Sequence, residues 1–303
     1  MNLPSFASIL VNIILPIVLV AGSGFLAARF LHAQAREVSR LMMYVFTPAL
    51  IFSSAYRTQI SGEYLSIVLF VLIITALMGV VAWALIQGLR YDRLTASAFA
   101  LGVLFVNSGN YGLPVLLFAY GQDGLARGVI YFTVNTILMQ TVAIFIAARG
   151  RAEARAAVLS IFKLPLIYAV ALGLALNQVG FVVPDPIMKA VDLTGNAAVP
   201  VMLVILGIEL AGATLGNDRP IVGIATVAKL IVAPLLAFPL AMFMGLPSLA
   251  RNVCVVEASM PAAVLASIIA VEFDVRPKLV TGIVFVSTLF SIVTLTVLLG
   301  ILK

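Results

Sequence analysis

Apolar runs of about 18 residues or more recur from one end of the chain to the other, and short polar stretches separate them. A run of that length is what one α-helix needs to cross the hydrocarbon core of a bilayer. Of the 303 residues, 63% are hydrophobic and 10% are charged, against about 45–50% and about 25% in soluble domains. The sequence therefore predicts an all-α polytopic protein in a lipid bilayer, with residues 1–303 forming a single membrane unit.

Hydropathy predicts ten transmembrane spans, near residues 8–28, 38–56, 64–88, 95–119, 127–148, 161–179, 187–212, 219–245, 249–271 and 279–301. An even number of spans puts both termini on the same side. One set of alternate loops holds twelve basic residues (Arg29, Arg36, Arg40, Arg90, Arg93, Arg149, Arg151, Arg155, Lys163, Arg219, Arg276 and Lys278), and the other holds five (Arg57, Arg127, Lys189, Arg251 and Lys303). Because cytoplasmic loops carry the excess of Lys and Arg, we predict a multi-pass protein of a bacterial inner membrane with both termini periplasmic.

A central loop at residues 148–160 separates five spans from five more. Since five is odd, the second half must enter the membrane from the opposite side. Pro48 in span 2 and Pro200 in span 7 stand 152 positions apart, and Pro114 in span 4 and Pro261 in span 9 stand 147 positions apart. These near-equal offsets predict two inverted five-helix repeats, at residues 1–149 and 161–303.

Span 4 contains an unusually polar run, Asn107-Ser108-Gly109-Asn110-Tyr111-Gly112-Leu113-Pro114. Proline cannot donate a backbone hydrogen bond and glycine weakens a helix, so the freed backbone groups need partners other than lipid. A broken helix that lines a polar cavity supplies them. The alternative is a simple packing kink, but two Asn residues beside the break favour the cavity.

Span 9 contains a second such place, Glu257-Ala258-Ser259-Met260-Pro261. If the two breaks cross, the side chains of Asn107, Asn110, Glu257 and Ser259 converge there beside Pro114 and Pro261, together with the ends of four half-helices. Half-helix N-termini favour anions and C-termini favour cations. This pattern predicts a transport site, with Glu257 as the coupling group because an ionisable residue inside a membrane is costly. A structural Glu, neutralised by protonation or pairing, is the alternative.

Two further charged residues lie within predicted spans, Glu209 in span 7 and Lys229 in span 8. An ion pair between them would cost less than either charge alone in hydrocarbon. Such a pair is either architectural or a coupling element that opens and closes during transport.

The composition excludes most soluble-enzyme chemistry. One Cys and one His are too few for disulfide frameworks, thiolate zinc sites or His-based triads. No nucleotide-binding motif is present, and the 18 Lys and Arg residues form no basic stripe for nucleic acid. We therefore expect no enzyme activity and no cofactor, with Na⁺ or H⁺ as the coupling ion of a secondary carrier.

At these motifs the sequence resembles the auxin efflux carrier family, the plant PIN carriers and their bacterial relatives of the malonate and malate type. The resemblance spans the chain and rests on the run from Asn107 to Pro114 with Gly121, on Glu257 to Ala263, on Gly195 to Pro200 with Gly207, and on Lys229-Leu230 with Pro234. It implies a scaffold and a transport domain built from two inverted five-helix repeats. Helices 4 and 9 would be broken and cross at their prolines, as in bile acid/sodium symporters and sodium/proton antiporters.

The resemblance also implies a mechanism and a role for one residue. Elevator-type alternating access would follow, a homodimer would be expected, and Asn107 matches the Asn that contacts the substrate carboxylate in the plant carriers. This chain departs from those carriers at Leu164-Pro165-Leu166, where they have polar residues, and in its short central loop. We therefore expect a bacterial-type carrier of a small mono- or dicarboxylate such as malonate or malate, with a Na⁺/H⁺ cation exchanger and a membrane-embedded ligand sensor as alternatives.

Overall fold

The computed structural model describes residues 6–58, 62–148, 162–213, 216 and 218–302, and the regular secondary structure in these ranges is helical. Seven helices are long and apolar enough to cross a membrane: α1 (Phe6–Leu31), α2 (Ala35–Arg57), α3 (Gly62–Gly88), α5 (Ser108–Ala147), α7 (Asp185–Gly212), α8 (Arg219–Phe243) and α11 (Pro277–Leu302). Four shorter helices are α4 (Arg93–Leu104), α6 (Pro165–Gln178), α9 (Ser248–Ala258) and α10 (Val264–Glu272). The prediction of an all-helical polytopic membrane protein is thereby confirmed.

The predicted spans and the helices differ at spans 4, 5 and 9. Predicted span 4 is divided between α4 and the first part of α5, and predicted span 9 is divided between α9 and α10. In addition, α5 runs on through predicted span 5 and changes direction at Gly121, where φ is 66° and ψ is −158°. Glycine permits this positive φ, which costs other residues energy. Most of the central loop, with Arg149, Arg151 and Arg155, lies outside the described residues, as does Lys303.

The helices pack in two groups. Bundle A consists of α1, α2, α6 and α7: α1 packs along the second half of α7, while α2 packs against α6 and the first half of α7. Bundle B consists of the remaining helices, in which α3 packs on α4, α5, α8 and α9, and α11 packs on α4, α8 and α10. The contacts between bundles come mainly from α1 and α7 of bundle A against α5 and α11 of bundle B.

Two glycines bring α1 and α7 unusually close within bundle A. A Cβ atom on Gly24 would lie 2.1 Å from the Val204 carbonyl oxygen, and one on Gly207 would lie 1.8 Å from the Ala21 carbonyl oxygen. Small residues at helix contacts allow such close backbone approach in membranes, where van der Waals packing drives helix association. Bundle A is therefore closely packed at its centre.

Among the described residues, the ion pairs between helices fall inside a bundle. In bundle A, the Arg57 guanidinium of α2 donates to the Asp192 carboxylate of α7 at 2.6 Å. In bundle B, Arg127 of α5 pairs with Glu63 of α3, and Arg276, just before α11, pairs with Asp218, just before α8, at 2.8 Å. These ion pairs join helices of the same bundle. Within the described residues, no ion pair joins bundle A to bundle B.

The start of α4 is fixed by a side-chain cap. Asp92 Oδ1 accepts hydrogen bonds from the backbone N–H groups of Leu94 (3.0 Å) and Thr95 (3.1 Å). Hydrogen bonds from the Thr95 side chain and backbone, followed by that from Leu94 and the nearby charge of Arg276, hold the pKa of Asp92 below its usual value. Such a cap satisfies orphan donors at a helix start and sets the direction in which α4 approaches the interior.

Candidate functional site

Two interrupted helices meet in the interior of bundle B. The segment between α4 and α5 and the segment between α9 and α10 are extended and run antiparallel, with a bridge at Val106. The Asn107 N–H donates to the Pro261 carbonyl at 2.9 Å, and the Ala263 N–H donates to the Phe105 carbonyl at 3.1 Å. Each interruption thus supplies the backbone partners that the other lacks, as non-helical backbone buried in a membrane protein requires.

The interruption lies before the polar run of span 4 and not at its proline. After Asn107 (φ −78°, ψ 60°) the chain forms a wide π-turn at Ser108–Gly112, in which the Gly112 N–H donates to the Asn107 carbonyl at 3.0 Å. Pro114 follows two residues after this turn, within α5. Pro261 therefore takes part in the backbone pairing of the crossing, whereas Pro114 lies beyond it in α5.

Lys229 compensates the C-terminal end of α4. Its side chain is 1% exposed, and its ammonium donates to the carbonyl oxygens of Val103 at 3.0 Å and Leu104 at 3.5 Å. A helix C-terminus carries partial negative charge and unpaired carbonyls, so a cation is stabilised there. Lys229 and Glu209 form no ion pair with each other among the described residues. The helix end takes the place of the carboxylate as the lysine's partner.

An inner pocket of about 170 Å³ lies beside the crossing, between the two bundles. Asn107 and Asn110 are on its wall, and so is Asn135 of α5. The Asn107 Nδ2 atom is buried without a hydrogen-bond partner among the described residues. Asn135 Nδ2, in contrast, donates to the Val106 carbonyl at 3.1 Å and to the Ser108 hydroxyl at 2.9 Å. One amide is thus free to bind a ligand, while another holds the backbone that carries it.

A larger vestibule of about 1250 Å³ adjoins the inner pocket. Both are lined by Ser39, Met43 and Glu209 of bundle A, which lie where they meet. Three arginines line only the vestibule: Arg29, Arg36 and Arg40. Their loops belong to the set with the larger number of basic residues, so the vestibule lies at that end of the molecule. The arrangement provides a path from the basic loops to the crossing.

Glu257 is enclosed at the crossing and is not on the wall of either cavity. Its side chain is 0% exposed, and neither carboxylate oxygen has a hydrogen-bond partner among the described residues. A Cβ atom on Gly112 would lie 2.4 Å from Glu257 Oε2, and one on Gly128 would lie 3.5 Å from Oε1. The carboxyl group therefore occupies space that Gly112 leaves open, and it lies within contact distance of Gly128 further along α5.

The residues predicted to converge separate into two sets. Asn107 and Asn110 line the inner pocket, whereas Glu257 and Ser259 line neither cavity. Ser259 Oγ donates to the Val255 carbonyl of its own helix at 2.6 Å. Asn107 and Asn110 thus form one set at the inner pocket, and Glu257 and Ser259 form a second, buried set.

Sequence reasoning missed the lining role of the three vestibule arginines, because it used them only to assign orientation. The amide of Asn135 holds the backbone at the crossing as well. Their signals were the spacing of Arg36 and Arg40 on one face of α2 and the presence of an amide in an apolar span. Within the described ranges, no group of three His, Cys, Asp or Glu side chains could hold a metal ion.

Interrupted helices paired inside a polytopic membrane protein, next to a cavity reaching the surface, are typical of membrane transporters. The chain belongs to the family described as membrane transport proteins, which matches residues 9–299. The resemblance to the auxin efflux carriers of the PIN type and their bacterial relatives is thereby confirmed.

Relatives over nearly the whole chain are also named as transporters. One, an uncharacterized transporter of Methanothermobacter thermautotrophicus, is 29% identical over 86% of this chain and 87% of its own length. Another, from Methanocaldococcus jannaschii, is 25% identical over 94% of this chain and 95% of its own. A Rhizobium meliloti protein with the proposed name malonate transporter is 27% identical over 96% of this chain and 95% of its own.

Proposed function

We propose that this membrane transporter is a secondary carrier of a small organic anion, a mono- or dicarboxylate, which binds in the inner pocket at the crossing. The observation that carries the proposal is the buried, unpartnered Nδ2 atom of Asn107 on the pocket wall. A buried donor without a partner is costly unless a ligand satisfies it. A carboxylate oxygen is the acceptor that fits, because the N-terminal turn of α5 adds partial positive charge at the same place.

The vestibule supports an anionic cargo. Arg29, Arg36 and Arg40 outnumber Glu209 and Glu272 on its wall, and an excess of positive charge in a cleft raises the local concentration of anions. The Rhizobium relative is named for transport of malonate, a carboxylate. Asn107 would accept the role that its counterpart has in the plant carriers, and Asn110, one turn further along α5, would add a second donor.

Glu257 is the coupling group of the proposed carrier. Its carboxyl is buried without a partner and touches Gly112 in the same turn of α5 that carries Asn110. Uptake or release of H⁺ or Na⁺ at Glu257 would change the charge behind the pocket without contact between ion and substrate. Pro114 and Pro261 shape the backbone at this place, and Ser259 caps the end of α9.

Transport would occur by elevator-type alternating access of bundle B against bundle A. This proposal is supported by the distribution of polar contacts, since the described inter-helix ion pairs each join helices of one bundle. Bundle B would be the transport domain and bundle A would be the scaffold. Both would be built from two inverted five-helix repeats. The broken helices 4 and 9 of these repeats would correspond to α4–α5 and α9–α10. With the basic loops in the cytoplasm, the vestibule would make this state inward-open.

A cation exchanger is the second candidate, and the unpartnered carboxyl of Glu257 favours it. In that case the ion at Glu257 would be the cargo and the inner pocket would hold no organic substrate. Ion flux in the absence of any carboxylate would distinguish this activity from coupled carboxylate transport.

The test is uptake of labelled carboxylates by liposomes that contain the purified protein, with and without imposed pH and sodium gradients. We expect saturable uptake that Asn107→Ala weakens by about tenfold or more, since a hydrogen bond to a charged group is worth about 1.5–3 kcal/mol. The matched control is Asn12→Ala, an exposed amide that bonds to Ser8 of its own helix. Equal uptake by Asn107→Ala and wild type would overturn the role of Asn107, and gradient-driven ion flux without carboxylate uptake would favour the exchanger.

A further inference from the structure

Glu209 of α7 occupies a distinctive position, because it lines both the inner pocket and the vestibule. Its Oε2 atom is buried without a hydrogen-bond partner among the described residues, while the side chain as a whole is partly exposed. The residue lies in bundle A, opposite the amides that bundle B contributes. A substrate bound to Asn107 would therefore have Glu209 in the wall of the same small space.

The rest of the inner pocket contains nothing that would neutralise a second negative charge. Glu209 is the one ionisable side chain in its lining, as far as the described residues extend, and no Lys, Arg or His lines it. Apart from the amides and a few hydroxyls, the wall is apolar, with Met42, Met202 and Ile205 of bundle A among its members. The arginines lie in the vestibule, on the outer side of Glu209.

We propose that Glu209 is a specificity-determining residue that restricts the inner pocket to anions with one carboxylate and an uncharged remainder. The proposal rests on the carboxylate carrier proposed above and narrows its substrate class. A monocarboxylate would place its charged end at the amides and its apolar body against the methionines. A short dicarboxylate would place its second carboxylate beside Glu209 in a space of low dielectric, where like charges repel strongly.

The vestibule arginines and Glu209 would meet an incoming anion one after the other. Arg29, Arg36 and Arg40 line the same cavity as Glu209. They attract anions to the mouth irrespective of valence, and Glu209 then rejects those with a second charge. Attraction and selection are thus assigned to different residues along one path, and repulsion of the unwanted ligand supplies the specificity.

This selectivity is tested with two ligands of nearly equal shape, malonate and its monoamide malonamate, in which one carboxylate is a neutral carboxamide. Dissociation constants are measured by titration calorimetry on the purified full chain in nanodiscs at about pH 9, so that the Glu209 carboxyl is ionised. For wild type we expect malonamate to bind at least about tenfold more tightly than malonate, which corresponds to about 1.4 kcal/mol of repulsion.

The variant Glu209→Gln is expected to bring the two dissociation constants to within about threefold of each other, chiefly through tighter malonate binding. Glu209→Asp, which keeps the charge, is expected to preserve the preference, and it keeps the test open if the Gln variant does not fold. The control is Glu272→Gln, because Glu272 lines the vestibule but not the inner pocket. This control variant is expected to retain the wild-type ratio.

Three results would overturn the proposal. Equal binding of both ligands by wild type would show that Glu209 does not select, while the carboxylate carrier would stand. A preference retained in Glu209→Gln would assign the selectivity to other residues. Binding of neither ligand to wild type, together with ion flux in liposomes, would instead remove the carboxylate carrier on which the inference rests.

Discussion

The two interruptions at the crossing share a backbone arrangement and differ in how their side chains are used. Between α4 and α5, the polar side chains of Asn107 and Asn110 face a pocket, and the C-terminal end of α4 is compensated by a lysine from another helix. Between α9 and α10, the acidic side chain is enclosed, and Ser259 bonds back to its own helix. In the proposed carrier, one interruption would bind the substrate and the other would hold the coupling charge.

This asymmetry separates the inner pocket from the buried carboxyl. Glu257 contacts Gly112 and Gly128 of α5 and is on neither cavity wall. In the proposed carrier, a charge change at Glu257 would act on α5 without approaching the substrate. Both interruptions contact α5, and the difference between them can be tested with one substitution at a time.

The largest effect is expected for Glu257→Gln. The amide has nearly the same shape but cannot exchange a proton or neutralise Na⁺, so we expect the stimulation of uptake by pH and sodium gradients to disappear altogether. Carboxylate affinity should change by less than about threefold, because Glu257 is not on the pocket wall. The measurement is liposome uptake with and without each gradient, with the exposed Glu37→Gln as control. Gradient dependence like that of wild type would assign Glu257 to structure alone.

The second effect is expected for Lys229→Met, which tests the compensation of α4. Methionine keeps most of the length but leaves the carbonyls of Val103 and Leu104 without their donor. We expect a loss of about 2–3 kcal/mol in the free energy of unfolding, the cost of losing hydrogen bonds from a charged group. Denaturant unfolding in detergent measures it.

The control for this change is Lys189→Met, which removes a pair with Asp185 in which both side chains are 76% exposed. Exposed pairs contribute about 0–1 kcal/mol, so this control should remain close to wild type. A Lys229→Met protein as stable as wild type would mean that the end of α4 does not need a cation.

The third effect is expected for Asn135→Ala. It distinguishes Asn135, which supports the backbone of the pocket, from Asn107, the proposed binding residue. Asn135 donates two hydrogen bonds to the segment that carries Asn107, so its loss should lower the free energy of unfolding by about 1–2 kcal/mol. Asn107→Ala should leave stability unchanged, because its Nδ2 has no partner to lose. Thermal unfolding of both variants is the measurement. A stability loss in Asn107→Ala as large as in Asn135→Ala would contradict the distinction.

The sequence was sufficient for those features that contact with lipid imposes locally. Apolar runs located the long helices, and clustered Gly and Pro residues in spans 4 and 9 indicated where helical structure would fail. It was also sufficient to predict that Asn107 and Asn110 lie at a cavity, because two amides in an apolar span need a polar surface.

Partnerships between distant residues could not be predicted, since they depend on which helix faces meet. Lys229 and Glu209 lie in consecutive spans, and their opposite charges suggested an ion pair. In the structure, Lys229 contacts a helix end 125 positions away, and Glu209 lines a cavity. The hydropathy pattern gives no direction to a side chain within a fully apolar span, because such a helix has no polar face to orient it. The division of the crossing into a pocket side and an enclosed side therefore emerged only from the packing.

The smallest effect, for Ser259→Ala, tests the enclosed side of the crossing directly. Ser259 Oγ bonds to Val255 of its own helix and is on neither cavity wall, so only a local bond is lost. We expect a change of about 0.6 kcal/mol or less in the free energy of unfolding, the average for polar side-chain bonds in membranes. Carboxylate affinity, measured by calorimetry, should match that of wild type, in contrast to Asn107→Ala. A tenfold loss of affinity in Ser259→Ala would mean that both interruptions bind substrate, because no other contact of this side chain connects it with the pocket.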